Sequence, residues 1–304
     1  SKTMPDFFGS RYESKPLKIA ASAIVFVFLV PYTASIYNGL SRLFEMAFHI
    51  PYAWCVIGMA VFTGIYVILG GYMATAINDF IQGIIMLAGI IVVIAAVLNG
   101  QGGFLEAVGR MAEIPSDVEI TLGQPGAFTS FFGPDPGNLL GVVILTSLGT
   151  WGLPQMIGKF YAIKDEKSIN TGTVISTVFA IVVSGGCYFL GGFARLFDAP
   201  AIYDEAGAVV YDSIIPHMLS ALPDILIGIV VVLVLSASMS TLASLVLTSS
   251  STLTLDFLKD NLLKEMSEKR QVRTMQVLVI FFIAVSVFIA LDPPTFIAQL
   301  MGIS

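Results

Sequence analysis

Apolar residues along this chain fall into runs of about 20, separated by short polar segments or by segments rich in glycine and proline. A helix of that length crosses a hydrocarbon core of about 30 Å. The pattern therefore predicts an all-α, polytopic membrane protein with one transmembrane domain over 1–304. Seven complete spans and the start of an eighth are predicted at about 17–47, 52–69, 74–98, 138–162, 168–197, 223–258, 275–291 and 295–304.

The composition supports the membrane interpretation. The chain is 56% hydrophobic and only 12% charged, whereas a soluble domain carries about 25% charged residues. A soluble all-α protein with a large core would need more charge on its helices. Cys55 and Cys187 both lie inside apolar runs, so they predict neither a disulfide framework nor a metal site.

The basic residues predict an orientation, because Lys and Arg accumulate in cytoplasmic loops. Twelve of the 15 Lys and Arg lie before or at the start of the first span, at the end of the fourth or after it, or after the sixth. The other three are Arg42, Arg110 and Arg195, on the opposite side. We therefore expect residue 1 on the cytoplasmic side of the inner (plasma) membrane, and the long loop 100–136 outside. Both ends of the sequence are expected to continue into a longer protein.

A run of hydroxyl side chains interrupts the sixth predicted span. Ala237, Ser240, Thr241 and Ser244 follow the spacing i, i+3, i+4 and i+7, so they form one stripe on a helix. Oxygen atoms of hydroxyls and carbonyls are the ligands that a hard cation such as Na⁺ prefers. The other interpretation is structural, because small residues let membrane helices pack closely while their hydroxyls bond to the preceding turn.

Asp79 is a carboxylate at the edge of an apolar run. Burying an unpaired carboxylate in a membrane is costly, so such a residue indicates a functional site. The alternative is that Asn78 or Asp79 caps the start of the third span and meets its helix dipole.

Two prolines lie inside predicted spans. Pro31 interrupts the first span and Pro154 the fourth. Breaks of this kind free backbone carbonyls and often line transporter cavities, although each proline could also produce an ordinary kink. A short amphipathic segment is predicted at about 104–112, within the long loop. No catalytic motif and no nucleic-acid-binding pattern appears in the sequence, so we expect neither an enzyme nor a nucleic-acid partner.

Four segments, in chain order, form a pattern known from a protein family. They are PDFF at 5–8 with Arg11 and Tyr12, GGYMATAINDFIQG at 70–83, GLP at 152–154 with Lys159 and Phe160, and SMST at 238–241 with the Ser/Thr run that ends at Asp256. These segments resemble the sodium/solute symporter family, and within it the proline and pantothenate branch, whose signature helix is similar to the SMST segment.

The resemblance implies two inverted repeats of five helices, of which this chain would hold the fourth to tenth helices and the start of the eleventh. It implies a main Na⁺ site at the Ala237 carbonyl and the Ser240 and Thr241 hydroxyls. A second site would use Asp79, Ser240, position 243 and Ser244. Position 243 is alanine, one hydroxyl short, so Asp79 is expected at least to tune the main site electrostatically.

The resemblance also implies a substrate region formed by Tyr32, Thr146, Thr150, Trp151 and Pro154. The aromatic pair that holds proline in its branch would fall at Thr146 and Thr150, which argues against proline, and the GLP segment is closer to the pantothenate branch. The implied activity is sodium-coupled import of a small organic solute, a carboxylate or amino acid such as pantothenate or proline. Its partners would be that solute, Na⁺ and the lipid bilayer. The alternative is a transporter-like sensor module of a signalling protein.

Overall fold

A computed structural model describes residues 3–160, 163, 165–197, 200–203, 207, 209–262 and 266–294, with the backbone alone at 71–75, 150, 159, 201 and 260–262. These residues form ten α-helices and no named strand, so the all-α prediction is confirmed. The helices are α1 Met4–Arg11, α2 Lys15–Phe48, α3 Tyr52–Gly100, α4 Phe104–Glu113, α5 Pro136–Leu148, α6 Pro154–Phe160, α7 Glu166–Gly192, α8 Tyr211–Ser220, α9 Asp224–Thr252 and α10 Glu268–Leu291.

Six segments within the described residues are long and apolar enough to cross a membrane, which supports a multi-pass protein. They are Lys15–Phe48, Tyr52–Gly70, Ala76–Gly100, Glu166–Phe197, Asp224–Lys259 and Glu268–Leu291, of which Tyr52–Gly70 and Ala76–Gly100 are both parts of α3. The apolar helix α5 is shorter, and the predicted start of an eighth span at 295–304 lies outside the described residues.

The chain divides into two compact units. The first consists of Ser1–Ile85, Gly152–Ile169 and Val234–Ser304, and the second of Met86–Trp151 and Asn170–Leu233. The core of the first unit packs apolar side chains from α2, α3, α9 and α10. Its largest fully buried side chains include Tyr37, Leu40, Leu242, Leu245 and Phe282.

Two expected helix interruptions are absent. The structure continues α3 through Gly70 and Gly71, because glycine costs about 1 kcal/mol in a helix interior without stopping the helix. Asp79 therefore lies inside a helix, and the prediction that Asn78 or Asp79 caps a helix start is wrong. Helix α2 likewise continues through Pro31, so of the two alternatives for this proline the break is wrong, and Pro31 is an internal helix residue, as the kink alternative expects.

The break predicted at Pro154 is present. Helix α5 ends at Leu148, residues Gly149–Gly152 form a 3₁₀ turn, and α6 begins at Pro154. Proline suits the first position of a helix because its missing N–H would have no intrahelical partner there. The fourth predicted span, 138–162, is therefore two helical pieces.

The second unit contains the predicted amphipathic segment as α4, whose bounds are Phe104–Glu113. Ala107 and Met111 on its apolar face pack against Phe193. In the 3₁₀ helix Phe193–Phe197, Arg195 lies 3.0 Å from the Asp117 carboxylate of the loop after α4, and its guanidinium lies 3.9 Å above the ring of Phe128. The hydrogen bond from Arg195 lowers the pKa of Asp117 below its ordinary value.

A candidate cation site on helix α9

The predicted hydroxyl stripe lies on one face of α9, where its polar atoms meet the helix backbone. Ser240 Oγ donates to the Ala237 carbonyl oxygen at 3.4 Å, and Thr241 Oγ1 donates to the same oxygen at 3.1 Å. Ser244 Oγ donates to the Ser240 carbonyl at 3.0 Å. The stripe thus brings the Ala237 carbonyl and two hydroxyl oxygens together on a single turn.

The stripe borders the core of the first unit. Leu242, Ala243, Leu245 and Val246 on the adjoining faces of α9 are almost completely buried, whereas Ala237, Ser240, Thr241 and Ser244 are half-buried. The hydroxyl face is therefore fixed in direction by the apolar packing beside it, while its residues stay partly exposed.

The donor set fits a hard, weakly bound cation. All three atoms are oxygens without formal charge, which is the chemistry that Na⁺ accepts. Each hydroxyl donates a hydrogen bond to a backbone carbonyl, and its oxygen lone pairs remain available to a ligand. The same hydrogen bonds are also what the packing interpretation expects, so geometry alone leaves both interpretations open.

The residues of the implied second site lie on two helices of the first unit. Asp79 is half-buried on α3. Ala243 is 1% exposed and packs in the apolar core, so this position supplies no side-chain oxygen. Ser244 is the nearest hydroxyl further along the stripe.

Sequence reasoning missed a contact between α3 and the stripe. The Tyr66 hydroxyl donates to the backbone carbonyl of Met239, and the Gln82 amide nitrogen lies 3.9 Å from the Met239 sulfur. Met239 stands between Ser238 and Ser240. A tyrosine inside the apolar run FTGIYVIL at 62–69 was the one available indication, because a buried phenol requires a hydrogen-bond partner.

The residues implied to bind substrate occupy different surroundings. In the first unit, Tyr32 packs at the edge of the core, and Pro154 is half-buried at the start of α6. In the second unit, Thr146 is exposed and donates to the Val142 carbonyl at 2.8 Å, and Trp151 is 75% exposed. The side chain of Thr150 lies outside the described residues.

Pro154 also borders a cavity of about 540 Å³ in the first unit. Apolar and aromatic side chains, such as Phe8, Tyr12 and Phe28, form almost all of its wall. Tyr32 does not line this cavity. This cavity therefore lacks the convergent polar groups that orient a carboxylate or amino acid.

A buried ionic cluster lies at the far end of the α9 segment, where residues Leu253–Leu262 continue α9 as a π-helix. Asp256, whose side chain is 4% exposed, lies 3.2 Å from the Lys18 ammonium and accepts a hydrogen bond of 2.5 Å from Thr3. Lys18 also lies 2.8 Å from Asp6. The cluster joins α1, α2 and the α9 continuation, and sequence reasoning did not predict it.

The all-helical fold of the described residues, with six candidate membrane spans, defines the class of protein as a multi-pass membrane protein. The sequence profile of the "Sodium:solute symporter family" matches residues 1–303. The chain therefore belongs to the sodium:solute symporter family.

Curated relatives align over nearly the whole chain. A "Sodium/pantothenate symporter" of Haemophilus influenzae is 29% identical and covers 98% of this chain and 59% of its own length. A "Sodium/proline symporter" of Staphylococcus aureus is 30% identical over 99% of this chain and 57% of its own length. An osmoregulated proline transporter of Bacillus subtilis is 27% identical over 99% of this chain and 59% of its own length. The chain spans less than three-fifths of the length of these relatives.

The fold also matches a solved structure. A Na⁺-coupled sialic acid symporter in a substrate-bound outward-open state superposes with a TM-score of 0.69 at 15% identity, over 90% of this chain and 58% of that one. This likeness confirms the fold that the sequence predicted. The five-plus-five repeat remains a prediction.

Proposed function

We propose that the protein carrying this chain is a sodium-coupled symporter that imports a small organic solute. The observation that carries the proposal is the oxygen-only turn of Ala237, Ser240 and Thr241 on α9, in a chain that the symporter profile matches from end to end. The names of the relatives favour this function over a sensor module, since each is a symporter or transporter.

In the proposed mechanism Na⁺ binds the Ala237 carbonyl and the Ser240 and Thr241 hydroxyls from outside. Neutral oxygens hold the ion weakly, which permits release at the other face of the membrane. Entry of one Na⁺ provides a driving free energy of roughly 2.3 kcal/mol for each 100 mV of membrane potential, in addition to the free energy of its concentration gradient. The basic-residue distribution supports residue 1 on the cytoplasmic side of the plasma membrane.

Asp79 is proposed to act on this site as a charge rather than as a full second ion site. Ala243 supplies no hydroxyl, so Asp79 and Ser244 form an incomplete ligand set. A half-buried carboxylate on α3 still favours a nearby cation over the distances at which charges interact in a membrane protein.

The substrate is proposed to be a small carboxylate or amino acid. The relatives named for pantothenate and proline support that class. Threonines at 146 and 150, in place of an aromatic pair, favour pantothenate or another organic acid over proline. Tyr32, Trp151 and Pro154 are proposed as further substrate-region residues on the strength of the family resemblance alone.

The test is uptake into proteoliposomes by the complete protein, with labelled pantothenate and proline supplied separately and external Na⁺ exchanged for K⁺. Ser240→Ala and Thr241→Ala remove the two proposed ligands. Ser251→Ala is the matched control, because Ser251 also donates to its own helix backbone, at 3.2 Å from the Thr248 carbonyl oxygen, but lies about 10 Å further along the helix than Ser244.

Uptake that needs Na⁺, and a sodium requirement that rises in Ser240→Ala and Thr241→Ala but not in Ser251→Ala, would support the proposal. If all three variants have the same sodium requirement, the hydroxyls of the stripe serve helix packing and do not bind sodium. Uptake that proceeds equally in K⁺ would contradict sodium coupling itself.

A further inference from the structure

The contact of Tyr66 with α9 lies on the face next to the proposed sodium ligands. In an uninterrupted α-helix, the Met239 carbonyl accepts from the N–H of Ala243. The Tyr66 hydroxyl donates to that carbonyl. One phenol from α3 therefore bonds to the carbonyl at the start of the Met239–Ala243 turn of α9.

That turn encloses the proposed ligands. Ser240 and Thr241 lie between Met239 and Ala243 along the chain, and their hydroxyls bond back to Ala237. A hydrogen bond to the backbone of this turn fixes the rotation and height of α9 against α3. The directions of the Ser240 and Thr241 oxygens depend on that rotation, because side chains project from a helix at fixed angles.

Gln82 adds a second contact at the same residue. It is 5% exposed, and its amide nitrogen meets only the Met239 sulfur among its described contacts, at 3.9 Å. Its amide oxygen is buried without a hydrogen-bond partner. A buried acceptor without a partner costs stability, so this weak contact does not by itself hold Met239, and the bond from Tyr66 is the one that positions it.

We propose that Tyr66 is a positioning residue for the sodium site, which it sets by holding the Met239–Ala243 turn of α9 in register with α3. The proposal rests on the proposed function of the α9 stripe. It assigns Tyr66 no direct contact with the ion. Its effect is to raise sodium affinity by preorganising the ligand turn.

The test compares Tyr66→Phe with Tyr52→Phe. Both replacements keep the ring and remove one half-buried hydroxyl that contacts a backbone carbonyl, since the Tyr52 hydroxyl lies 2.5 Å from the Ala290 carbonyl oxygen and also 3.1 Å from Asn38 Oδ1. Loss of one such hydrogen bond changes an equilibrium constant by roughly fivefold. We expect Tyr66→Phe to raise the Na⁺ concentration for half-maximal pantothenate or proline uptake about fivefold, with the maximal rate largely kept, and Tyr52→Phe to leave it within about twofold.

A second readout does not depend on transport. Hydrogen exchange of a peptide covering 236–244 reports the opening of the tethered turn, and Tyr66→Phe should speed its exchange more than Tyr52→Phe does. Equal sodium requirements in the two variants, or a loss of maximal rate without a shift in requirement, would overturn the proposal. Wild-type uptake indifferent to Na⁺ would overturn the proposed function and the sodium role of Tyr66 together. Unchanged exchange in Tyr66→Phe would separately refute the tether.

Discussion

Removing the Lys18 ammonium is expected to destabilise the protein more than any surface charge deletion. In Lys18→Met, Asp256 stays buried at 4% exposure but loses the cation 3.2 Å away. A pair at that distance interacts by about 5 kcal/mol at an effective dielectric constant of about 20. Breaking a buried ion pair from one side costs about 3–5 kcal/mol, because the remaining charge is still desolvated.

The assay is thermal unfolding in detergent, followed by circular dichroism. At about 2 °C per kcal/mol, the low value for larger domains, Lys18→Met should lower Tm by about 6–10 °C. Asp117→Asn is the control, because it breaks an ion pair of 3.0 Å whose carboxylate is 67% exposed. Exposed pairs contribute at most about 1 kcal/mol, so its Tm should fall by no more than about 2 °C.

The double variant separates the ion pair from simple packing. In Lys18→Met combined with Asp256→Asn no buried carboxylate is left at 256, so its Tm should exceed that of Lys18→Met alone. Independent effects that add in the double variant would refute the reasoning. They would show that Lys18 acts through its aliphatic stem or through Asp6, its partner at 2.8 Å.

Two smaller predictions concern the second unit. The hydrogen bond from Arg195 lowers the pKa of Asp117 in the folded protein. The ionised Asp117 carboxylate therefore stabilises the fold slightly at neutral pH, and this stabilisation is lost as the pH falls through the lowered pKa. The Tm difference between wild type and Asp117→Asn should therefore vanish under acid, and a constant difference from pH 7 to about pH 2 would refute this. Gly185→Ala should raise Tm slightly, because alanine has the higher helix propensity. In Gly186→Ala the new Cβ would lie 3.0 Å from the Ile90 side chain, and this crowding should cancel the same gain. Equal Tm changes in the two variants would contradict the close packing at Gly186.

Features set by neighbouring residues were predictable from the sequence. The spacing of Ala237, Ser240, Thr241 and Ser244 requires only a helix to become a stripe, and the structure has that helix. The missing N–H of Pro154 similarly places the start of α6. The amphipathic period at 104–112 gives α4 because one apolar face suffices to dock it.

Features set by distant residues were not predictable. Tyr66 and Met239 are 173 positions apart, and Thr3 and Asp256 are 253 apart, so no local pattern pairs them. The effects of Gly70, Gly71 and Pro31 were overestimated for a related reason. Each residue weakens a helix locally, but the packing of the surrounding turns decides whether the helix ends.

The most direct test of the account is sodium entry driven by the substrate. Proteoliposomes containing the complete protein are given ²²Na⁺ outside, with or without pantothenate or proline, and initial sodium uptake is measured. If Na⁺ and solute are coupled at the α9 stripe, the transported solute accelerates ²²Na⁺ entry, and the variant carrying both Ser240→Ala and Thr241→Ala loses this acceleration. Solute uptake with no additional sodium entry, or undiminished acceleration in the double variant, would contradict coupling at the α9 stripe.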